Sequence, residues 1–184
     1  GFTGDSVGNL APGTYTVTAS VPDGCPAQAT VTVDDPLPVV LQVMNDTTVC
    51  PGTTLDLTAL ASGGAGGFQY GWNPAGPQLA PAQPGTYTVT ATDANGCTSA
   101  PASVIVALHP EVVPVFTVDE PEGCADHCVQ LTDQTPGAVS WGWTLGDGST
   151  SAANAPQNCY AAGTFDVSLT VTDANGCAGT TTEV

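Results

Sequence analysis

The chain has 184 residues, 17 Asp and Glu, no Lys or Arg, and a formal net charge of -17. Only 9% of its residues are charged, against about a quarter in an ordinary domain, and every formal charge is acidic. Nucleic acid binding and polybasic membrane contact are therefore excluded, as are a Schiff-base lysine, an arginine clamp, a P-loop lysine, a Lys–Asn cross-link and any Lys or Arg salt bridge.

Hydrophobic residues make up 41% of the chain and alternate with Thr in clean runs. That pattern belongs to a folded β chain, not to an acidic disordered tail. No run approaches ~18 apolar residues, so no direct membrane insertion is expected. No signal peptide opens the chain, which reads as a mature product or a piece of something longer.

The first predicted strand lies in Pro12-Gly13-Thr14-Tyr15-Thr16-Val17-Thr18-Ala19 and leads to a turn at Asp23-Gly24-Cys25. Residues 1–37 hold only this final hairpin. The expectation is that the chain starts inside a domain whose earlier strands lie upstream or come from a neighbouring molecule. Asp34-Asp35-Pro36-Leu37-Pro38 reads as a linker, because two prolines cannot continue a ladder. Strands are then expected at Val39–Val43 and Leu55–Leu57. The octapeptide returns unchanged at Pro84 to Ala91, followed by Asn95-Gly96-Cys97 and a strand over Ser103–Ala107. His109-Pro110 is the second linker. Gly163-Thr164-Phe165-Asp166-Val167-Ser168-Leu169 is the third copy, followed by Asn175-Gly176-Cys177 and a strand over Thr180–Val184. The leading glycines stand 72 and 78 positions apart, a spacing of domain arrays rather than solenoids. Each copy reads as a hairpin closed by a two-residue Asn-Gly type turn. No helical period of 10 residues with caps is present. The fold class is therefore all-β, divided at 1–37, 38–108 and 109–184.

Trp141-Gly142-Trp143-Thr144-Leu145-Gly146-Asp147-Gly148-Ser149-Thr150, then Tyr160 and Gly163 to Val167, resembles a PKD domain. That family is an immunoglobulin-like β-sandwich with a W-x-W/F-D-F-G-D-G core; Thr144 and Leu145 depart from it. Cys50-Pro51-Gly52 with Leu55 and Leu57, together with the Thr-Asp-Ala-Asn-Gly-Cys end, resembles Ig-like repeats of Bacteroidetes surface proteins. Residues 4–36 resemble the back half of an SprB-type gliding-adhesin repeat. These resemblances imply tandem immunoglobulin-like sandwiches in a head-to-tail rod, exported by type IX secretion to the extracellular cell surface. They imply adhesion or a filamentous stalk, not catalysis. Gly-Thr-Tyr also resembles the corner opening the F strand of such sandwiches, where Tyr tethers the loop below.

Candidate sites are few. His109 and His127 are the only histidines; neither has a nucleophile with it, and both read as solvated loop residues. Asp93 with Asn95, Asp173 with Asn175, and Asp34 with Asp35 offer hard oxygens for calcium. Calcium wants six to eight oxygens, and two per hairpin fall short unless an adjoining domain adds more. The other reading is a plain hairpin turn. Apart from calcium no cofactor is indicated. Asp147 is expected to shape the Gly146-Asp147-Gly148 turn. Trp72, Trp141 and Trp143 could form a sugar platform, but a C-strand Trp of a sandwich is usually core. Asn45-Asp46-Thr47 is an N-glycosylation sequon, and Asp46-Thr47-Thr48 and Asp5-Ser6-Val7 resemble Bacteroidetes O-glycosylation motifs; the candidate acceptors are Asn45, Thr47 and Ser6.

Seven cysteines without zinc spacing point to disulfides in an oxidising compartment, one at least left over. Cys128 opens strand B and Cys159 ends strand E, antiparallel neighbours in a sandwich, so they are expected to bond. For the rest two schemes stand. Internal pairing joins Cys50 with Cys97 and Cys124 with Cys177. A clasp joins Cys50 to Cys177 across the domain boundary, because the F–G turn and the loop before strand B lie at opposite ends of one sandwich, roughly 25 Å apart. Two function classes follow: a structural and adhesive filament segment, or accessory modules of a secreted hydrolase that hold a polysaccharide or protein. The partners are neighbouring repeats of the same or identical chains, with an adhesive ligand the sequence does not identify.

Overall fold

The computed structural model describes every residue except 1, 2, 3, 5, 23 and 125, so Asp5 and Asp23 of the motifs above lie outside the described residues. Among the described residues all helical and strand structure is β, in seventeen strands. The first eight are β1 (Gly13–Ala19), β2 (Ala27–Val33), β3 (Val40–Val43), β4 (Thr47–Val49), β5 (Leu55–Asp56), β6 (Ala59–Ser62), β7 (Gln69–Asn73) and β8 (Gln78–Leu79). Then come β9 (Gly85–Thr92), β10 (Ala102–Leu108), β11 (Phe116–Val118), β12 (His127–Asp133) and β13 (Ala138–Thr144). The last are β14 (Thr150–Ser151), β15 (Gln157–Tyr160), β16 (Val167–Asp173) and β17 (Ala178–Glu183). The chain gathers into two compact units, one of residues 1–43, 59–72 and 88–102, the other of residues 44–58, 73–87 and 103–184. Segment 38–108 thus contributes strands to both.

In the first unit β1 and β2 pair antiparallel from Gly13 opposite Val33 to Ala19 opposite Ala27. The period of two puts Tyr15, Val17, Ala29 and Val31 on one face and Thr14, Thr16, Thr30 and Thr32 on the other. Val17 is 61% exposed. The same octapeptide in β9 has its corresponding Val89 at 0% exposure. Ala91 packs there with Val39 and Ala61, and Leu41 and Phe68 lie against them. Identical sequence makes a strand in both places, and what packs on that strand decides its burial.

The second unit contains a two-layer sandwich. One sheet is β11-β12-β15, the other β14-β13-β16-β17. Phe116, Val129 and Leu131 of the first sheet meet Trp143, Leu169 and Val171 of the second. Trp143 is buried edge-on to Phe116, ring centroids 5.1 Å apart, and its indole donates to the Ala153 carbonyl at 2.8 Å. Trp141 packs on the same core half-buried and donates to Asp133 Oδ2 at 2.7 Å. Both tryptophans are therefore core, as the strand position predicted. The outward faces carry hydroxyls instead of charges: Ser168 pairs with Thr182 at 2.7 Å and Thr170 with Thr180 at 2.9 Å. In the same unit β4 runs parallel to β10 and β5 antiparallel to β8.

The tyrosine corner forms where it was expected. Tyr15 donates to the Ala11 carbonyl at 2.6 Å and Tyr87 to the Gln83 carbonyl at 3.0 Å. In the third copy Phe165 has no hydroxyl, and stacks instead on Tyr160 with centroids 4.6 Å apart.

Candidate functional site

The Gly-Cys turns are longer than the two-residue turn read from Asn-Gly. Asp93 N donates to the Cys97 carbonyl at 2.9 Å and Gly96 N to the Asp93 carbonyl at 3.0 Å. The third copy repeats this, from Asp173 N to Cys177 O at 2.9 Å and Gly176 N to Asp173 O at 3.1 Å. Only the glycines take positive φ, +86° at Gly96 and +82° at Gly176. This is the three-residue hairpin with a left-handed glycine at its last position. The aspartate selects it. Asp93 Oδ1 accepts the Asn95 and Cys97 amides at 2.9 and 2.8 Å, and Asp173 Oδ1 accepts those of Asn175 and Cys177 at the same distances.

The second carboxylate oxygens accept hydrogen bonds as well. Asp93 Oδ2 takes the Ala65 amide at 2.8 Å, and Asp173 Oδ2 takes the Asn175 side-chain amide at 3.1 Å. The Ala65 amide first, then that of Cys97, hold the Asp93 carboxyl below its ordinary value. The Cys177 amide first, then Asn175 and the nearby His109, lower that of Asp173 against the opposing effect of burial. Asp34 and Asp35 lie exposed in the linker. Among the described residues no group of three His, Cys, Asp or Glu is placed to hold a metal.

The cysteines form the feature with most functional content. Cys50 is bonded to Cys177 with Cα atoms 5.3 Å apart, closing 127 positions. This is the clasp, and it displaces the internal scheme: Cys25, Cys97 and Cys124 are exposed free thiols. Cys177 is 2% exposed, held by its turn and approached by the segment before β11. A Cβ on Gly179 would meet the Val112 carbonyl oxygen at 2.0 Å, so only glycine lets the two backbones pass. His109 N donates to the Val49 carbonyl at 2.9 Å, next to Cys50, so the linker histidine is tied by its backbone and half-buried. Cys128 and Cys159 face each other directly across β12 and β15 and are bonded, Cα atoms 3.8 Å apart.

His127 opens β12, and its Nε2 lies 2.7 Å from the Glu120 carbonyl; it is a strand residue held by a loop, which corrects the solvated-loop reading. Asp147 shapes its turn as expected. Its Oδ1 accepts the Ser149 amide and hydroxyl, and its Oδ2 accepts Asn158 Nδ2 at 2.9 Å. These bonds, the Ser149 hydroxyl first, lower its pKa to about 2. Asn45 and Ser6 are exposed, while Thr47 is half-buried in β4. Asp133 was missed. It accepts from the Thr135 amide and hydroxyl and from Trp141, and burial is outweighed by these bonds, which lower its carboxyl. Its signal was an aspartate two positions before a threonine at a strand end, an Asx turn.

Residues 113–184 match the family model described as PKD domain. The chain carries a PKD/Ig-like repeat. It is similar to the PKD1 domain of the Vibrio cholerae metalloprotease PrtV, 33% identical over 40% of this chain and 93% of that one, TM-score 0.36. The PKD1 domain of Vibrio anguillarum Epp is 34% identical over 40% of this chain and 89% of its own, TM-score 0.36. Fibronectin(III)-like modules of Clostridium thermocellum CbhA are 14% identical over 78% of this chain and 90% of theirs, TM-score 0.33. No curated protein matches the chain. PKD and Ig-like domains commonly serve as structural or adhesive modules and are typically non-catalytic. With two disulfides, the repeat suits an extracellular setting.

Proposed function

We propose that the chain is a structural and adhesive segment of a large extracellular surface filament or stalk, built from sandwiches joined head to tail. The observation that carries this reading is the Cys50–Cys177 bond, which ties segment 38–108 to the PKD repeat. On this reading the chain divides at 1–37, 38–108 and 109–184, its neighbours are further repeats, and its place is the cell surface after type IX secretion. Domains of 71 and 76 residues are small for their cores; covalent joints and short linkers supply the stiffness. A chain without Lys or Arg also offers no trypsin site.

Pulling the chain from its ends tests the mechanical role. The clasp hides 127 positions, which is about 420–460 Å of extended chain at ~3.3–3.6 Å per residue. That length should appear only after reduction. Its release from the oxidised protein at ordinary unfolding forces would refute the reading. A second reading, an accessory module of a secreted hydrolase, draws on the 33% identity to a metalloprotease PKD1 domain. The full open reading frame separates the two: continued repeats support the first, a catalytic domain the second.

A further inference from the structure

The clasp has two halves, and the chain carries a free version of each. The turn half is Thr172-Asp173-Ala174-Asn175-Gly176-Cys177, and Thr92-Asp93-Ala94-Asn95-Gly96-Cys97 repeats it residue for residue. The two turns share the same backbone and aspartate hydrogen bonds. Cys177 is bonded and buried, whereas Cys97 is free and Ala94 to Cys97 are exposed. The loop half is Cys50, five positions before β5. Its counterpart is Cys124, three positions before β12, also free.

Cys124 is more than a lone thiol. It borders an open cavity of about 630 Å³ at the end of the sandwich, lined also by Glu122, His127, Tyr160, Phe165 and Glu183. The hydroxyl of Tyr160, one of these lining residues, is buried without a hydrogen-bond partner. A buried hydroxyl left unsatisfied carries a desolvation cost that a backbone carbonyl or amide would relieve. A hairpin tip supplies such groups. The exposed tip residues of the Cys97 turn, Ala94, Asn95 and Gly96, carry no charge, and the Asp93 carboxylate is held behind them on amides. The Asn95 side-chain amide would offer donors to Glu122 and Glu183.

We propose that this cavity is a docking socket for the Asp93–Cys97 turn of a second copy of the chain, sealed by a disulfide between Cys124 of one copy and Cys97 of the other. This rests on the filament reading and extends its joint from within a chain to between chains. The chemistry balances with a disulfide oxidant such as oxidised glutathione. The Cys97 thiolate attacks it, forming a mixed disulfide and expelling one glutathione thiolate. The Cys124 thiolate then attacks the Cys97 sulfur and expels the second, and both thiol protons go to solvent.

Equal amounts of unlabelled and ¹⁵N-labelled chain, oxidised together with glutathione disulfide and digested without reduction, test this. The expected product is a Cys97–Cys124 cross-linked peptide, about half of it mixed in label. Cys97→Ser and Cys124→Ser should each abolish it alone and restore a single-bond heterodimer when mixed. Tyr160→Phe should slow the reaction severalfold, and an unchanged rate would overturn the role of the cavity. Cross-links confined to one label, Cys97–Cys97 or Cys25 products in comparable yield, or no cross-link at all would overturn the proposal. With Cys50–Cys177 still intact in the same digest, such a failure leaves the filament reading standing; loss of that bond as well would strike the reading itself.

Discussion

Replacing Cys50 and Cys177 together by alanine tests how much the clasp stabilises the fold. The bond closes 127 positions. In the chain-entropy model a loop of that length constrains the unfolded state by about 5 kcal/mol. The Cys128–Cys159 bond lies inside this loop and shortcuts 31 of those positions. The effective outer loop is then about 96 residues, and the expected loss is about 4.7 kcal/mol. Nesting therefore costs the outer bond only a few tenths, because closure entropy grows with the logarithm of length. Guanidinium unfolding of the oxidised native and double-alanine proteins, followed by tryptophan fluorescence, measures the difference. The two should share native spectra and differ in midpoint. A loss below about 1 kcal/mol would refute the reasoning, since it would mean that the reduced chain already holds these segments together.

Three further outcomes follow from single side chains. Tyr87→Phe removes the hydroxyl that holds Gln83 and should cost about 1 kcal/mol in equilibrium unfolding; no change would show that the corner is held by packing alone. Leu131→Ala empties a side chain at 0% exposure between the two sheets and should cost about 2–5 kcal/mol, with a smaller loss indicating that the sandwich collapses into the cavity. Asp147, whose folded pKa is lowered to about 2, stabilises the fold fully above the unfolded value of about 4 and loses that contribution as pH falls through about 2. An NMR titration of its carboxyl carbon should give a midpoint near 2, and a midpoint near 4 would show that the bonds to Ser149 and Asn158 are absent in solution.

The strands were legible because Thr alternates with Tyr, Val and Ala, and that alternation fixes one apolar face without any help from tertiary context. The clasp was one of two pairings the sequence left open, argued from the strand length expected between the loop before strand B and the F–G turn of one sandwich. Burial was not legible. Val17 and Val89 sit in identical octapeptides, and nothing local distinguishes the exposed one from the buried one. The turn was misread because Asn-Gly alone favours two left-handed residues, and the aspartate two positions earlier outweighs it by capping two amides. The same caps bring backbone amides to the oxygens offered for calcium. A sequence shows which side chains carry lone pairs, but not which backbone amides will reach them first.

A chain whose formal charges are all negative has a particular difficulty in joining one repeat to the next. No Lys or Arg is present to match opposite charges across the joint, and bringing two acidic surfaces together costs free energy. What remains must be neutral. The outer faces use hydroxyl pairs such as Thr170 with Thr180, and the carboxylates at the turns are folded back onto amides. The joint uses a covalent bond whose two sulfurs carry no charge. Its strength is then nearly independent of ionic strength and depends instead on redox state, so the absence of Lys and Arg and the use of cysteine at Cys50 and Cys177 are two sides of one solution. The turn that presents Cys177 is itself closed by Asp173, which accepts the Asn175 and Cys177 amides, so one residue shapes the hairpin that carries the bonded sulfur.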